Sequence, residues 1–398
     1  MTDFEKKPRL RFKGFTEAWE QRRLKEVVSR IATGLNPRDN FVLNKGGKNY
    51  YVTIKNFDHS HLYLDDDCDR IDDEALMKIQ ARSDLKINDI LFTSIGRIGD
   101  CYLIKKQPVN WNINESVFTL RPNKNEVEPE YLFHVIHSER VLNQILSNIT
   151  GSTFKSIKIG DLKKAVVAIT NKSEQFKLAK FITELDDIIT LHQRKCEKLK
   201  SMKKALLEKM FPSGDETSPK IRFKGFTEAW EQRSAKELCS ITTGKSNTQD
   251  QVDDGKYQFY IRSDMPVKSN KFLFDEEAVI TIGDGNIGKV FHYVNGKFDL
   301  HQRCYKMANF SYVSAKYFYW YFSTKFYKRA ISMTAKATVD SVRLEMISDM
   351  PIKYPENKDE QSKISSFLFQ LDSLITLHQR KCEKLKKLKK SLLERMFI

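Results

Sequence analysis

The sequence ITLHQRKCEKLK occupies Ile189 to Lys200 and returns unchanged at Ile375 to Lys386. A second stretch, RFKGFTEAWEQR, occurs at Arg11 to Arg22 and again at Arg222 to Arg233. The 398-residue chain is therefore a tandem repeat in which two nearly identical frames enclose interiors that differ from each other. Because the frames of the two copies have nearly the same sequence, they favour contact with the same partner in both copies. Interiors that differ favour contact with two different targets, whereas duplicated enzyme domains would be expected to share the interior that holds an active site.

Both ITLHQRKCEKLK stretches lie in segments with a heptad pattern, which is typical of helices that pair through one apolar face. The pattern predicts one long helix at the end of each copy, capped by Ser173 or Asp359, and a coiled coil between the two helices, which the two-fold pseudosymmetry of the repeat would place antiparallel. The alternative is that each helix packs only on its own domain. The predicted seam residues are Ile182, Leu185, Ile189, His192, Cys196, Leu199 and Leu206 in the first copy, and Leu368, Leu371, Ile375, His378, Cys382, Leu385 and Leu392 in the second.

The composition favours a polyanion as the partner. Lys and Arg number 68 against 52 Asp and Glu, and the resulting formal charge of +16 favours nucleic acid over an anionic membrane surface. No apolar run approaches the roughly 20 residues of a membrane span, and the N-terminal stretch lacks the apolar core of a signal peptide. A soluble cytoplasmic protein is therefore predicted. The six cysteines form no CxxC pair and the histidines no HExxH motif, so neither a metal site nor a disulfide framework is indicated.

The interiors carry the signals of mixed α/β domains. Segments such as Ile90 to Ile95 and Val117 to Leu120 combine β-favouring residues with flanking turn signals, and helices are predicted after Pro129 and after Ser314. The stretch Gly283-Asp-Gly-Asn-Ile-Gly288 matches a GxGxxG pattern, but the residues after it favour a strand, whereas dinucleotide binding requires a helix there. A glycine turn between two strands is the favoured interpretation, and a nucleotide-dependent enzyme is the alternative.

The repeated frames resemble those of the specificity subunits of type I restriction-modification systems. The resemblance rests on RFKGFTEAWEQ near the start of each copy and on Glu-Gln, Leu-Asp, ITLHQRKCEKLK and Met-Phe towards each end, and it spans both halves. It implies two α/β (α+β) target-recognition domains in tandem, separated by the long helices of the antiparallel intramolecular coiled coil in a pseudo-two-fold repeat. The implied boundaries are 1–170 and 220–355 for the recognition domains, 171–211 and 356–398 for the helices, and 212–219 for the linker.

The resemblance also implies a function and a set of partners. Each recognition domain is expected to bind one half of a bipartite sequence in double-stranded DNA, and the helices are expected to dock two DNA methyltransferase (modification) subunits and, through them, the restriction subunits. The chain itself is expected to be non-catalytic, without a cofactor, a metal or a membrane contact. S-adenosylmethionine is expected in the methyltransferase, and ATP and Mg in the restriction subunit. A scaffold or RNA-binding protein built on the coiled coil is the remaining alternative.

Polar and basic residues in or beside glycine-containing loops are the candidate DNA contacts. Lys and Arg side chains bind phosphates and position a protein on the duplex, while Arg and Asn also donate to base edges. The alternative for each residue is an ordinary surface charge. The candidates are Arg38, Lys55, Asn56, Arg97 and Lys155 in the first copy, and Lys245, Arg262, Asn286, Arg303 and Lys336 in the second.

Overall fold

The computed structural model describes residues 7–58, 60–147, 155–333 and 341–398. The chain forms two compact units, of which the first comprises 1–192 with 381–398 and the second comprises 193–380. Each unit therefore contains one divergent interior together with helical segments from both copies of the repeat.

The first unit is built from short strands in several small sheets. Its strands are β1 (Glu20–Arg23), β2 (Val28–Thr33), β3 (Asn49–Val52), β4 (Phe57–Asp58), β5 (His61–Leu62), β6 (Asp69–Ile71), β7 (Ile90–Thr93), β8 (Cys101–Leu103), β9 (Trp111–Ile113), β10 (Val117–Pro122) and β11 (Val166–Ile169). Its helices are α1 (Leu24–Val27), α2 (Asp73–Ser83), α3 (Pro129–Ile136), α4 (Glu139–Ser147), α5 (Ile159–Leu162) and the start of α6 (Lys172–Met210). The main sheet has the order β2-β10-β7-β8, and β3 lies between β6 and its parallel neighbour β9.

The second unit has one larger sheet. Its strands are β12 (Glu231–Ser234), β13 (Ser240–Thr243), β14 (Tyr257–Tyr260), β15 (Val267–Ser269), β16 (Phe274–Ile282), β17 (Phe291–Leu300), β18 (Cys304–Ala308) and β19 (Pro351–Tyr354). Its helices are α7 (Ala235–Leu238), α8 (Ala315–Ser332), α9 (Leu344–Ser348) and the start of α10 (Lys358–Met396). The six-stranded order is β13-β18-β16-β17-β14-β15, and α8 covers this sheet through ring contacts such as Phe291 with Phe322 at 5.6 Å. Both units thus have the mixed α/β character that the sequence predicts.

The repeated frame closes on itself in each unit. The residues Glu-Gln-Arg that end RFKGFTEAWEQR form β1 and β12, which pair antiparallel with β11 and β19, the strands that precede the long helices. The tryptophan before each strand, Trp19 or Trp230, is buried in the core of its unit. The two ends of each copy therefore meet across a strand pair, which explains why both ends repeat while the interior diverges.

The Glu-Gln dipeptide at the start of each long helix joins that helix to the frame. Glu174 is fully buried and accepts hydrogen bonds from Arg11 at 2.6 and 2.8 Å, and Glu360 accepts the matching bonds from Arg222 at 2.7 and 2.8 Å. The adjacent glutamines satisfy backbone groups, since Gln175 Nε2 donates to the Thr170 carbonyl at 2.6 Å. A buried carboxylate requires such paired donors, so the arginine and the glutamate are repeated together.

Both long helices begin two residues earlier than the predicted caps imply. The side chain of Asn171 accepts from the backbone N–H of Glu174 at 3.0 Å, and the side chain of Asn357 accepts from Asp359 N–H at 2.9 Å. Ser173 and Asp359 lie inside the first turns of α6 and α10. The predicted caps were therefore wrong by two residues, because Asn, Ser and Asp all have oxygens of suitable reach.

The two long helices pair in antiparallel orientation, as the heptads predict. In the first unit Lys389 Nζ lies 2.6 Å from the carboxylate of Asp186, and in the second Lys203 Nζ lies 2.5 Å from that of Asp372. Residue numbers rise along α6 while those of its partners fall along α10, which defines the antiparallel sense. Each seam lysine meets an aspartate of the other helix, and such matched charges specify the register.

All the predicted seam residues are buried or half-buried. Leu185 and Ile189 form a cluster with Cys382, Leu385 and Leu392 in the first unit. The other seam positions are placed as follows: Ile182 and Leu368 lie in the cores of the first and second units, Leu206 packs against the second core, Cys196, Leu371 and Ile375 are buried, and His192, Leu199 and His378 are half-buried. The first turns of each helix are thus held by their own domain.

The tip of each long helix packs in the unit formed by the other copy. Phe211, which follows α6, lies in the core of the second unit, with its ring 5.5 Å from that of Tyr321. Phe397, which follows α10, lies in the core of the first unit, with its ring 5.7 Å from that of Tyr131. Each core is therefore completed by residues from the opposite copy of the repeat.

Candidate nucleic-acid interface

The glycine-rich segment of the second unit is a turn between β16 and β17, as the sequence predicts. A strand follows it rather than a helix, so the arrangement required for a dinucleotide is absent from this described part of the chain. Gly285 has a φ of +80°, and a Cβ on Gly283 would approach the Arg303 carbonyl oxygen to 2.5 Å. Only glycine fits these two positions, which place the loop tightly against the segment before β18.

Asp284 in this turn gathers two of the predicted DNA contacts. Its Oδ2 accepts from Arg303 Nη1 at 2.9 Å and from Arg262 Nη1 at 3.1 Å. Burial alone would raise the pKa of Asp284, but the hydrogen bonds from Arg303 and Arg262 hold it below its ordinary value. The carboxylate therefore stays charged at neutral pH and holds two guanidinium groups side by side at the surface, where they are 62% and 44% exposed.

A buried histidine fixes the backbone of Arg303. Burial, reinforced by the positive charge of Arg262, lowers the pKa of His301, so its ring is neutral at pH 7. Its Nδ1 accepts from the Arg303 backbone N–H at 3.1 Å. A rigid backbone beneath an exposed arginine reduces the entropy that the side chain loses on binding.

The other candidates of the second unit lie near the same loop. Asn286 is exposed within the turn, and Lys245 is exposed beside Ser246, which bridges to His301. The structure therefore brings Lys245, Arg262, Asn286 and Arg303 to one edge of the unit. Lys336 lies outside the described residues.

The first unit has a matching turn between β7 and β8. Gly96 has a φ of +66°, and Arg97 follows it at the position that Asn286 takes in the second unit. Arg97 donates through Nη2 to the Phe57 carbonyl, and its Nε lies 3.4 Å from the Asp100 carboxylate. Its side chain is still 53% exposed, so part of its donor set faces solvent.

Isolated bridges join both turns to equivalent segments. Ile95 pairs with Ser156 in the first unit, and Asp284 pairs with Ser341 in the second. The first bridge brings the exposed Lys155 beside the Arg97 turn. The two interiors therefore share a loop framework although their sequences differ.

The remaining candidates of the first unit are placed differently from one another. Lys55 is exposed in a short 3-10 turn at Ile54–Asn56, near the Arg97 loop. Asn56 is buried, and its amide is used within the fold, since Nδ2 donates to Cys68 Sγ at 2.8 Å and Oδ1 accepts from Thr53 N–H at 2.8 Å. This placement does not favour a base contact by Asn56. Arg38 is exposed in the turn after β2, and no hydrogen bond or ion pair among the described residues joins it to the Arg97 loop.

Asp284 is the site residue that sequence reasoning missed. The charge pattern predicts donors to an anionic ligand, and an acidic residue does not fit that pattern. Its position as the only carboxylate inside the Gly283–Gly288 stretch is the signal that could have identified it. An acidic residue in a basic loop often orients the cations around it.

The described residues suggest binding chemistry at these loops. Among them, no group of three or more His, Cys, Asp or Glu side chains is arranged to hold a metal ion. No helix in the described part of the chain is long and apolar enough to cross a membrane. The exposed guanidinium, ammonium and amide groups match phosphate oxygens and the acceptor edges of bases, because Arg pairs with guanine O6 and N7 and Asn with adenine N6 and N7.

Comparisons with known proteins agree with this description. Residues 16–201 and 227–387 match the family model described as the type I restriction modification DNA specificity domain. The chain is 24% identical over 413 aligned positions to the type I restriction enzyme MjaX specificity subunit of Methanocaldococcus jannaschii, which covers 95% of this chain and 92% of that relative. It is 27% identical over 146 positions to the type I restriction enzyme HindI specificity subunit of Haemophilus influenzae, which covers 36% of this chain and 32% of that relative.

Solved structures share the fold. The crystal structure of a type I restriction-modification system S subunit from M. genitalium matches with a TM-score of 0.70 at 16% identity, covering 98% of this chain and 99% of that chain. A structure that describes complex assembly and conformational transition of a type I R-M system matches with a TM-score of 0.52 at 15% identity, covering 95% of this chain and 97% of that chain. The tandem arrangement with long helices is common to them.

Proposed function

The chain belongs to the family of type I restriction-modification DNA specificity domains, and on that premise we propose that it selects the DNA sequence on which a type I restriction-modification complex acts. Each unit binds one half of a bipartite sequence in double-stranded DNA. The observation that carries the proposal is the pair of matched glycine turns, one in each unit, that present different donors. Arg97 and Asn286 occupy equivalent places in these turns, and the two side chains favour different base edges.

Four further candidates are assigned to the surfaces around these turns. Arg303 and Arg262 contact bases or phosphates from one turn, while Lys55 and Lys155 contact phosphates beside the other. Phosphate contacts of this kind position the domain and base contacts specify the sequence. Arg38, Lys245 and Lys336 are proposed as further phosphate contacts.

The shared frames dock the partners. Because the frames are nearly identical in both copies, they offer the same surface twice, and two DNA methyltransferase subunits occupy them. The restriction subunits join through the methyltransferases. In this assembly the chain is non-catalytic and holds no cofactor. S-adenosylmethionine binds to the methyltransferase, and ATP and Mg bind to the restriction subunit. The complex is cytoplasmic.

The test is a map of methylated bases in the genome of a cell that expresses this chain with its modification subunits. We expect one bipartite sequence whose halves are separated by a fixed number of unread base pairs. Replacing residues 25–166 with the interior of another family member should change one half of that sequence and leave the other half intact. Methylation at unsplit sequences, or alteration of both halves by the exchange, would contradict the proposal.

RNA binding is tested with the same complex. A duplex DNA that contains the mapped sequence should compete for the complex far better than duplex RNA of the same sequence. Equal competition by RNA would favour the scaffold or RNA-binding alternative.

A further inference from the structure

A basic groove of about 1110 Å³ lies in the second unit and is lined by none of the ten candidate DNA contacts. It is bounded by the C-terminal half of α6, by α8, by the linker at Pro212, Ser213 and Gly214, and by Gln232 and Pro351 of the β12–β19 pair. Seven of its lining residues are Lys or Arg, and two, Glu208 and Asp372, are acidic. The groove therefore has a positive excess that the rest of its lining does not neutralise.

The internal pairings leave most of this charge available. Lys203 forms an ion pair with Asp372. In the described part of the chain, Lys325 Nζ donates only to neutral oxygens, to Ser213 Oγ at 2.8 Å and to the Phe211 carbonyl at 3.4 Å. Among the described residues, Lys200, Lys204 and Lys328 form no ion pair with a carboxylate. These cations crowd one another in the groove, and an anionic ligand would relieve their repulsion.

The charge of Lys325 responds to this crowding. Burial is the main cause that lowers the pKa of Lys325, and the positive charge of Lys328 lowers it further. A bound anion would favour the protonated amine and oppose both effects.

The equivalent position in the first unit is neutralised by the protein itself. Lys390 is the repeat counterpart of Lys204, and its Nζ lies 2.7 Å from the carboxylate of Glu139 at the start of α4. In the second unit α8 continues through the corresponding turn and places Lys325 and Lys328 on the groove. The frame lysine is thus the same in both units, and the divergent interior decides whether its charge is cancelled.

The glycine turn of the second unit packs on α8, the helix that also lines the groove. A Cβ on Gly288 would lie 3.0 Å from Tyr327 Cα, so the turn packs on α8 one residue before Lys328. Lys289 Nζ lies 5.4 Å from the centre of the Tyr327 ring. Basic side chains therefore lie next to α8 in both places, Lys289 in the turn and Lys328 in the groove.

We propose that this groove binds the sugar-phosphate backbone of DNA adjacent to the bases recognised by the second unit. The inference rests on the proposed function and adds a phosphate-binding surface to it. A protein partner that docks equally on both frames would need the same charge in both units, and in the first unit Glu139 pairs with one of the corresponding frame lysines, Lys390. A linear polyanion that already contacts the neighbouring turn needs the groove in one unit only.

The test uses the chain in complex with its modification subunits and a duplex that carries the mapped sequence. The double variant Lys325→Glu with Lys328→Glu is compared with Lys316→Glu, which changes the charge of an exposed residue of the same helix outside the groove. A logarithmic plot of affinity against salt should lose about 0.9 in slope for each phosphate contact removed, so nearly two for the double variant. Lys316→Glu should leave the slope unchanged, and the methylated sequence should be the same in both variants.

Neutral methylphosphonate linkages placed one at a time along the duplex locate the contact. At one or two positions next to the second half-site, the substitution should weaken binding by the original chain and not by the double variant. If no position behaves in this way and the salt slope is unchanged, the proposal is overturned. If the double variant no longer assembles with the modification subunits while its salt slope persists, the groove binds an acidic protein surface and the proposal is also overturned. Failure of the unaltered complex to prefer the bipartite duplex would instead refute the proposed function.

Discussion

Replacing the frame arginine by methionine should destabilise the second unit more than the first, although the two frames are almost identical in sequence. Arg11→Met removes two hydrogen bonds from Glu174, but this carboxylate keeps the indole N–H of Trp19 at 3.2 Å and the hydroxyl of Thr170. Arg222→Met leaves Glu360 without a side-chain donor among the described residues, and Trp230 Nε1, the counterpart of the Trp19 donor, has no partner in that part of the chain.

The magnitudes follow from what remains around each carboxylate. Glu174 and Glu360 are both fully buried, and their arginines are 11% and 14% exposed, so screening by water is weak at both. Loss of charged hydrogen bonds with other donors retained costs about 1.5–3 kcal/mol for Arg11→Met. Removing the partner of a buried charge costs about 3–5 kcal/mol for Arg222→Met.

Amide hydrogen exchange measured by mass spectrometry resolves the two units separately. Peptides from β1 and β11 report on the first unit, and peptides from β12 and β19 report on the second. Lys13→Met and Lys224→Met are matched controls, because these frame lysines are exposed and should change stability by less than about 0.5 kcal/mol. An equal or larger cost for Arg11→Met, or costs below about 1 kcal/mol for both arginine variants, would refute the reasoning.

Four further outcomes are expected. Phe397→Ala should destabilise the first unit by about 3–5 kcal/mol and spare the second, as seen by the same exchange measurement, because its ring lies in the first core. Asp284→Asn should weaken the glycine turn at pH 6. Because the pKa of Asp284 is lower in the folded state, its carboxylate stabilises the turn fully above the unfolded-state pKa, and this stabilisation is lost as the pH falls through the folded-state pKa. The difference in amide protection between wild type and variant should therefore vanish in acid. Arg303→Ala should cost about 1–3 kcal/mol of binding and relax one base position if it contacts a base, whereas Lys245→Ala should weaken all sequences alike and lower the salt slope by about one, as measured by DNA titrations. Inserting four residues after His192 and four after His378 lengthens both helices by about 6 Å and preserves the ion pairs of each unit. The map of methylated bases should then show an unread spacer longer by one or two base pairs. An unchanged spacer with activity retained would show that the helices do not set the distance between the half-sites.

Local sequence patterns were sufficient for several features. The heptads of α6 and α10 depend on residues three and four apart, so periodicity predicts the helices and their apolar faces, and the two-fold pseudosymmetry of the repeat predicts their antiparallel pairing. The glycine turn at Gly283 was predicted because the β-favouring residues on both sides leave no room for a helix. The family resemblance lay in exact repeats, which are visible without any structure.

Other features depend on contacts between residues far apart in the chain. Met-Phe at the end of each helix is apolar in either copy, and nothing local indicates that Phe211 completes the second core and Phe397 the first. The role of Asp284 depends on Arg262 and Arg303 folding back to it from two other segments.

The repeat itself, the long helices and the membership of the family were therefore determined by the sequence. The tertiary structure decided that the tip of each long helix packs in the core of the other copy's unit. It also decided the grouping of the basic loop residues and the groove around Lys325. The physical reason is that periodicity and turn chemistry act over a few residues, whereas burial and ion pairing depend on which distant segments meet. Lys204 and Lys390 carry the same charge at equivalent positions of the repeat. Their neighbours on α8 and α4 differ, so Lys204 lines a cationic groove and Lys390 forms an ion pair.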